Sequence, residues 1–220
     1  MRTIRVTGKG QIRVRPDMTR ITMTLTGLYK EYGETLRHSS ADTEVLKDVL
    51  AEFGFERSDL KTLSFNVDTE YESYRDRNND YKQKFVGYRF NHILKVEFES
   101  DNDRLGKILF ALANCKAKPE FRISYTVKDP EATKNLLLGK AVTDAKEKAV
   151  VLTQAGGVTL KDIQRIDYSW GEIDFEYRPI RDDVLMECCD APLAAKSYNL
   201  DIEPDDIDVS DTVTVVWEIG

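Results

Sequence analysis

The amino-acid sequence predicts an α+β protein of antiparallel sheets with helices packed on one face, and three observations carry the prediction. Strand-like and helix-like segments follow one another in the order ββαββαβαββ, with strands in the majority. The strand segments alternate, apolar on one side only, whereas buried parallel strands would be apolar on both. The stretch Asp129–Gly157 is a complete helix signature with both ends marked. A weak return of the strand–helix–strand pattern hints at two similar lobes, without a repeat at a fixed period.

At the start, Ile4 and Val6 alternate with polar neighbours, Gly8-Lys9-Gly10 offers a hairpin turn, and Ile12 and Val14 resume the alternation. After Pro16-Asp17, the residues Ile21, Met23 and Leu25 form a second strand. A helix is expected from about Tyr32 to Phe53, where Leu46, Val49, Leu50 and Phe53 share a face and Gly54 ends it. Leu63, Phe65 and Val67 make a strand, and Ser73–Lys84 is the candidate exposed hairpin tip. Tyr88, Phe90, Leu94, Val96 and Phe98 form the returning strand. Asp101 caps a second helix bearing Leu105, Ile108, Leu109 and Leu112 at i, i+3, i+4 and i+7.

Phe121, Ile123, Tyr125 and Val127 alternate ahead of the long helix. In that helix Asp129 is the cap, Pro130 suits the first position, and Glu131 sits at the positive end of the dipole. Leu137, Ala141, Ala145, Ala149 and Leu152 form one stripe whose alanines admit a close backbone layer. Gly156-Gly157 stop the helix. A strand near Ile163 and Ile166 and a last one at Val213, Val215, Trp217 and Ile219 complete the chain, which is expected to be a single domain over residues 1–220.

With 220 residues and 41% hydrophobic content, the chain can bury one sizeable core or two small ones. No apolar run approaches the ~18 residues of a membrane-spanning helix. The opening MRTIRVTGKG lacks the apolar centre of a secretory signal, so the sequence as it stands is expected in the cytoplasm, and in the periplasm only if a leader has been removed. Three cysteines, two of them the adjacent Cys188 and Cys189, fit reduced thiols. The net charge of −7 is uneven: Glu172–Asp211 holds thirteen acidic residues against three basic ones. That acidic segment, with no basic stripe elsewhere, argues against a nucleic-acid partner.

Catalytic, cofactor and metal residues are not expected. Gly8-Lys9-Gly10-Gln11-Ile12-Arg13 resembles the start of a dinucleotide fingerprint, but Arg13 stands where the third glycine belongs and strand sequence follows. His38 and His92 lie on different elements, away from ligand spacing, and read as surface or half-buried side chains. Met186, Cys188 and Cys189 share an acidic loop whose neighbours raise thiol pKa, so the thiols read as passive. The run Asp201–Asp211 lacks the glycine and closing glutamate of a calcium loop, and its Asp206 and Asp208 alternate with Ile207 and Val209 like the solvent face of a strand. The least bland feature is aromatic: Tyr71, Tyr74, Tyr81, Phe85, Tyr88 and Phe90 cluster around the hairpin. They serve either as a subunit contact or ligand groove, or as cross-strand packing within a sheet.

With those residues in view, the chain resembles the SIMPL family, a domain of unknown function. The likeness runs through Ile4, Val6, Gly8, Gly10, Pro16 and Asp17, then Gly54, Asp59, Leu60 and Thr62, then Gly87-Tyr88. It continues through Ala141, Ala145, Ala149, Leu152 and Gly156, and ends at Ile202, Pro204, Ile207, Val209, Val213 and Val215. The stretch Gly171–Pro192 departs from the pattern as an acidic insertion. The resemblance implies kinship with exported immunogenic envelope proteins, proteins linked to oxidative-stress tolerance, and a eukaryotic kinase-binding adaptor. It also implies a homo-oligomeric habit, and it supplies no catalytic residue to carry over.

The favoured expectation is therefore a non-enzymatic, self-associating interaction protein. The alternative is a stress-related protein binding a small molecule or metal through the Cys188–Cys189 loop or the acidic tail. An enzyme using paired carboxylates such as Asp182 and Asp183 ranks third.

Overall fold

The computed structural model describes residues 2–76, 79–168, 175–176 and 203–220. The elements are β1 (Arg2–Val14), β2 (Met18–Tyr29), α1 (Tyr32–Ala51), β3 (Lys61–Arg75), β4 (Tyr81–Glu99), α2 (Asn102–Asn114), β5 (Glu120–Thr126), α3 (Pro130–Ala155), β6 (Leu160–Tyr168) and β7 (Ile207–Ile219). Their order is the one the sequence predicts, and the class is α+β. The chain divides into two compact units, one around β1, α3, β6 and β7 and the other spanning Met18–Ser124.

In the first unit the strand order is β1-β7-β6. β1 and β7 run antiparallel in unbroken register from Arg2↔Ile219 to Val14↔Ile207. β6 pairs with the other side of β7, also antiparallel. Alternation places Val6 and Ile12 of β1 and Val209, Val213, Val215 and Trp217 of β7 in the core. α3 covers that face with Leu137, Ala141, Ala145 and Ala149. Asp129 caps the helix by accepting from the Ala132 backbone N–H at 2.9 Å, and Gly157 holds a left-handed φ of 66° beyond its end.

Two sequence expectations are corrected here. Gly8-Lys9-Gly10 makes no turn, because β1 passes straight through it. Both glycines face α3: a Cβ on Gly8 would overlap the carbonyl of Ala141, and one on Gly10 the carbonyl of Leu137. The glycines serve close approach. The α3 stripe also ends differently, with Thr153 buried and Leu152 53% exposed. Thr153 stays on the buried face because its hydroxyl donates to the carbonyl of Ala149 at 2.8 Å.

In the second unit the strand order is β3-β4-β2-β5. β4 is antiparallel to both β2 and β3. α1 and α2 lie on one face of this sheet, where Leu46, Leu50, Leu105, Ile108, Leu109 and Leu112 meet Ile21, Met23, Leu25, Leu94 and Val96. The opposite face is polar. There Arg20 and Lys95 donate to Glu97 at 2.6 and 3.1 Å. Burial opposes the charge on Glu97, yet these two partners hold its carboxyl below the usual range. β3 is an edge strand exposed along almost its whole length.

Candidate functional site

The aromatic residues singled out from sequence fall in the second unit, and the sheet sorts them by face. Val86 is an extra residue in β4 opposite Glu70 and Tyr71, a bulge that reverses the parity of the strand. Phe85 therefore points to the same face as Tyr71 and Tyr88. Tyr71–Phe85, Phe85–Tyr88 and Tyr88–Tyr32 form a chain of edge-to-face contacts with centroids 5.8, 5.2 and 5.5 Å apart. Tyr32 begins α1, so the row starts at the amino-terminal end of the helix and runs out along the hairpin.

Tyr71, Phe85 and Tyr32 are exposed, as are Leu36, Leu63 and Phe65 on α1 and β3. Tyr81 is 73% exposed and lies beneath the Arg75 guanidinium, 4.6 Å from its ring centroid. Tyr74, also exposed, pairs with Lys82 three register steps from the Tyr71–Phe85 pair, on the other side of the ribbon. Phe90 is 0% exposed and belongs to the core, so it takes no part in the surface expected of it. The acidic residues Asp68, Glu70 and Glu72 mark β3, and Lys82, Lys84 and Arg89 mark β4. Glu70 accepts from Arg89 at 3.0 Å, a pairing that lowers the carboxyl pKa and raises that of the guanidinium.

A second constellation surrounds His92, which sits on β4 at 9% exposure in the floor of a depression of about 330 Å³ between α1 and β3. Leu36, Ser39, Ser40, Thr43, Glu44 and Lys47 form its helical wall, with Thr62 and Phe65 opposite. The Thr43 hydroxyl donates to the Ser39 carbonyl at 2.8 Å, which uses its only proton. Its oxygen, 3.2 Å from His92 Nδ1, must then accept, so hydrogen-bond bookkeeping assigns the ring proton to Nδ1. Ser39 Oγ lies 3.4 Å from the same nitrogen. His92 Nε2 is left with a lone pair, and the Thr62 hydroxyl donates to it at 2.9 Å. Burial, and then the Lys47 charge, push the His92 pKa down and keep the ring neutral near pH 7. Phe65 closes one side, edge-on to the imidazole at 5.0 Å.

His92 is thus more than a half-buried side chain. Its partners come from three elements, so only one local signal pointed to it: Thr35, Ser39 and Thr43 repeat at four-residue steps along the face of α1 that also carries Leu46 and Leu50. Hydroxyls on a buried helical face need partners across the core. His38 stacks flat on Tyr29, centroids 4.1 Å apart. Among the described residues, no three His, Cys, Asp or Glu side chains gather at metal-binding distance, and no helix is long and apolar enough to cross a membrane. Cys115 is buried. Met186, Cys188, Cys189, Asp182 and Asp183 lie outside the described residues. In the acidic tail, Asp208 is exposed on β7 and receives the Arg13 guanidinium at 3.0 Å, as expected of a solvated strand face.

Two helix-covered antiparallel sheets in the order ββαββαβαββ define an α+β class of chain. A family model described as SIMPL, protein of unknown function (DUF541), matches residues 4–217, and the chain belongs to that family. It is 29% identical over 164 residues to the 26 kDa periplasmic immunogenic protein of Brucella melitensis biotype 1, a match covering 74% of this chain and 65% of the relative. The protein of the same name from Brucella abortus is 28% identical over 164 residues, with the same shares covered. The chain thus spans about 65% of the length of the curated relatives it matches. Among solved structures, CutA from Synechococcus elongatus is 12% identical, covers 60% of this chain and 95% of its own, and superposes with a TM-score of 0.21, too low to carry an argument.

Proposed function

We propose that this SIMPL-family chain is a non-enzymatic interaction protein that associates with further copies of itself through the β3–β4 hairpin. The observation that carries the reading is the row Tyr71–Phe85–Tyr88–Tyr32, exposed at all but the half-buried Tyr88, beside an open edge of the sheet. Aromatic rings give large contact area at small entropic cost, and an edge strand offers unpaired backbone groups beside them. A second copy is the occupant we propose, its own aromatic row packing against this one about a two-fold axis. The periplasm is the compartment we propose, supported by the word periplasmic in the names of both relatives.

Sedimentation of the full chain over a concentration series tests the reading. Assemblies above the monomer mass are expected, and the double variant Tyr71→Ser, Phe85→Ser should return to monomer with an unchanged circular dichroism spectrum. A wild-type chain that stays monomeric at the highest concentration overturns the proposal.

A further inference from the structure

The hydroxyl-ringed histidine takes no part in the hairpin surface, and its geometry supports chemistry that self-association does not need. We infer that Thr62 is an acylation site, its hydroxyl activated by His92 to accept an acyl group from an activated ester or thioester held in the depression between α1 and β3. The arrangement has the three parts that an activated hydroxyl requires: a nucleophile, a base, and a group orienting the base. Thr62 Oγ1 is 2.9 Å from Nε2, the lone-pair nitrogen of His92. Thr43, and behind it Ser39, hold Nδ1–H so that the lone pair faces Thr62. Thr62 is exposed and abuts the bulge at Leu63, on the rim of the depression, while the base beneath it is buried.

The rest of the depression fits an acyl donor. Leu36 and Phe65 face each other as apolar walls for the acyl chain, and Lys47 on the helical rim, paired with Glu44 at 2.8 Å, brings a cation near the carbonyl oxygen as it gains charge. In the step itself, Thr62 Oγ1 bonds to the carbonyl carbon and the carbon–oxygen or carbon–sulfur bond to the leaving group breaks. The hydroxyl proton passes to His92 Nε2 and from there to the departing phenolate or thiolate. Nothing is oxidised or reduced, and the product is a threonine ester. The transfer is a single modification of the chain and needs no turnover.

The test treats the full chain with p-nitrophenyl acetate and follows nitrophenolate release, intact mass and the site of the adduct. About one equivalent of acetyl on Thr62 is expected. Thr62→Val should lose the adduct and Thr62→Ser should keep it, two surface changes that leave the fold alone. His92→Gln should slow the reaction by about 10²-fold, the usual worth of a general base. The pH profile separates this chemistry from acetylation of amines: the Thr62 reaction should rise with deprotonation of His92 and level off above about pH 6.5, whereas lysine acetylation climbs toward its pKa near 10.4. Acetyl found only on lysines or tyrosines, or Thr62→Val labelled like the wild type at neutral pH, overturns the inference.

Discussion

Gly8 of β1 lies directly against the main-chain carbonyl of Ala141 in α3, with no room for a Cβ between them. The sheet and the helix meet backbone to backbone, which three alanines on one side and two glycines on the other make feasible. Gly8→Ala should therefore destabilise the protein by about 1–3 kcal/mol, the range for overpacking a filled core. The sign is the informative part, because an unhindered strand gains from the same substitution by about 0.4–1 kcal/mol. Urea unfolding decides between the two.

The helix starts offer a matched comparison. Asp129 accepts a backbone N–H in the first turn of α3, whereas Glu31 before α1 makes no side-chain cap bond. Asp129→Ala should cost about 1 kcal/mol and Glu31→Ala much less. Equal losses in chemical denaturation would count against the capping geometry.

Leu152 and Thr153 should respond in the reverse of their hydrophobicity. Leu152→Ser alters an exposed position and should stay within about 0.5 kcal/mol of the wild type. Thr153→Leu enlarges a buried one and removes its bond to the Ala149 carbonyl, so a clear loss of melting temperature is expected.

His92 sets a pH dependence whose sign follows from its lowered pKa. Below about pH 6.5 the unfolded chain binds the proton more readily than the folded one, so stability rises with pH across that window. The stabilisation is complete above about pH 6.5 and is lost as pH falls through the lower, folded value. Between pH 5 and 7 the wild type should steepen relative to His92→Gln in denaturant midpoints; parallel curves would contradict the burial.

What the sequence disclosed was whatever short-range signals encode. Caps at Asp101 and Asp129, the alternation in β7 and the element order are all written within a few residues, and all appear in the structure. Glycine is ambiguous because tight turns and close backbone contact both demand it, so Gly8-Lys9-Gly10 reads as a turn until α3 is seen against it. Clustering in sequence grouped Phe90 with the hairpin aromatics, but although it shares a face with Tyr88 it lies further along β4, where that face is covered and Phe90 joins the core. The histidine site is assembled from partners 30 to 53 positions away, and no local pattern spells out such a meeting.

The unbroken pairing of β1 with β7 has a bearing on how the protein is made. A ribosome delivers β1 well before β7, so β1 waits for its partner until residues 15–206 have been translated. The Met18–Ser124 segment is contiguous and can settle in the meantime, while the apolar faces of α3 and β1 stay uncovered until β7 emerges.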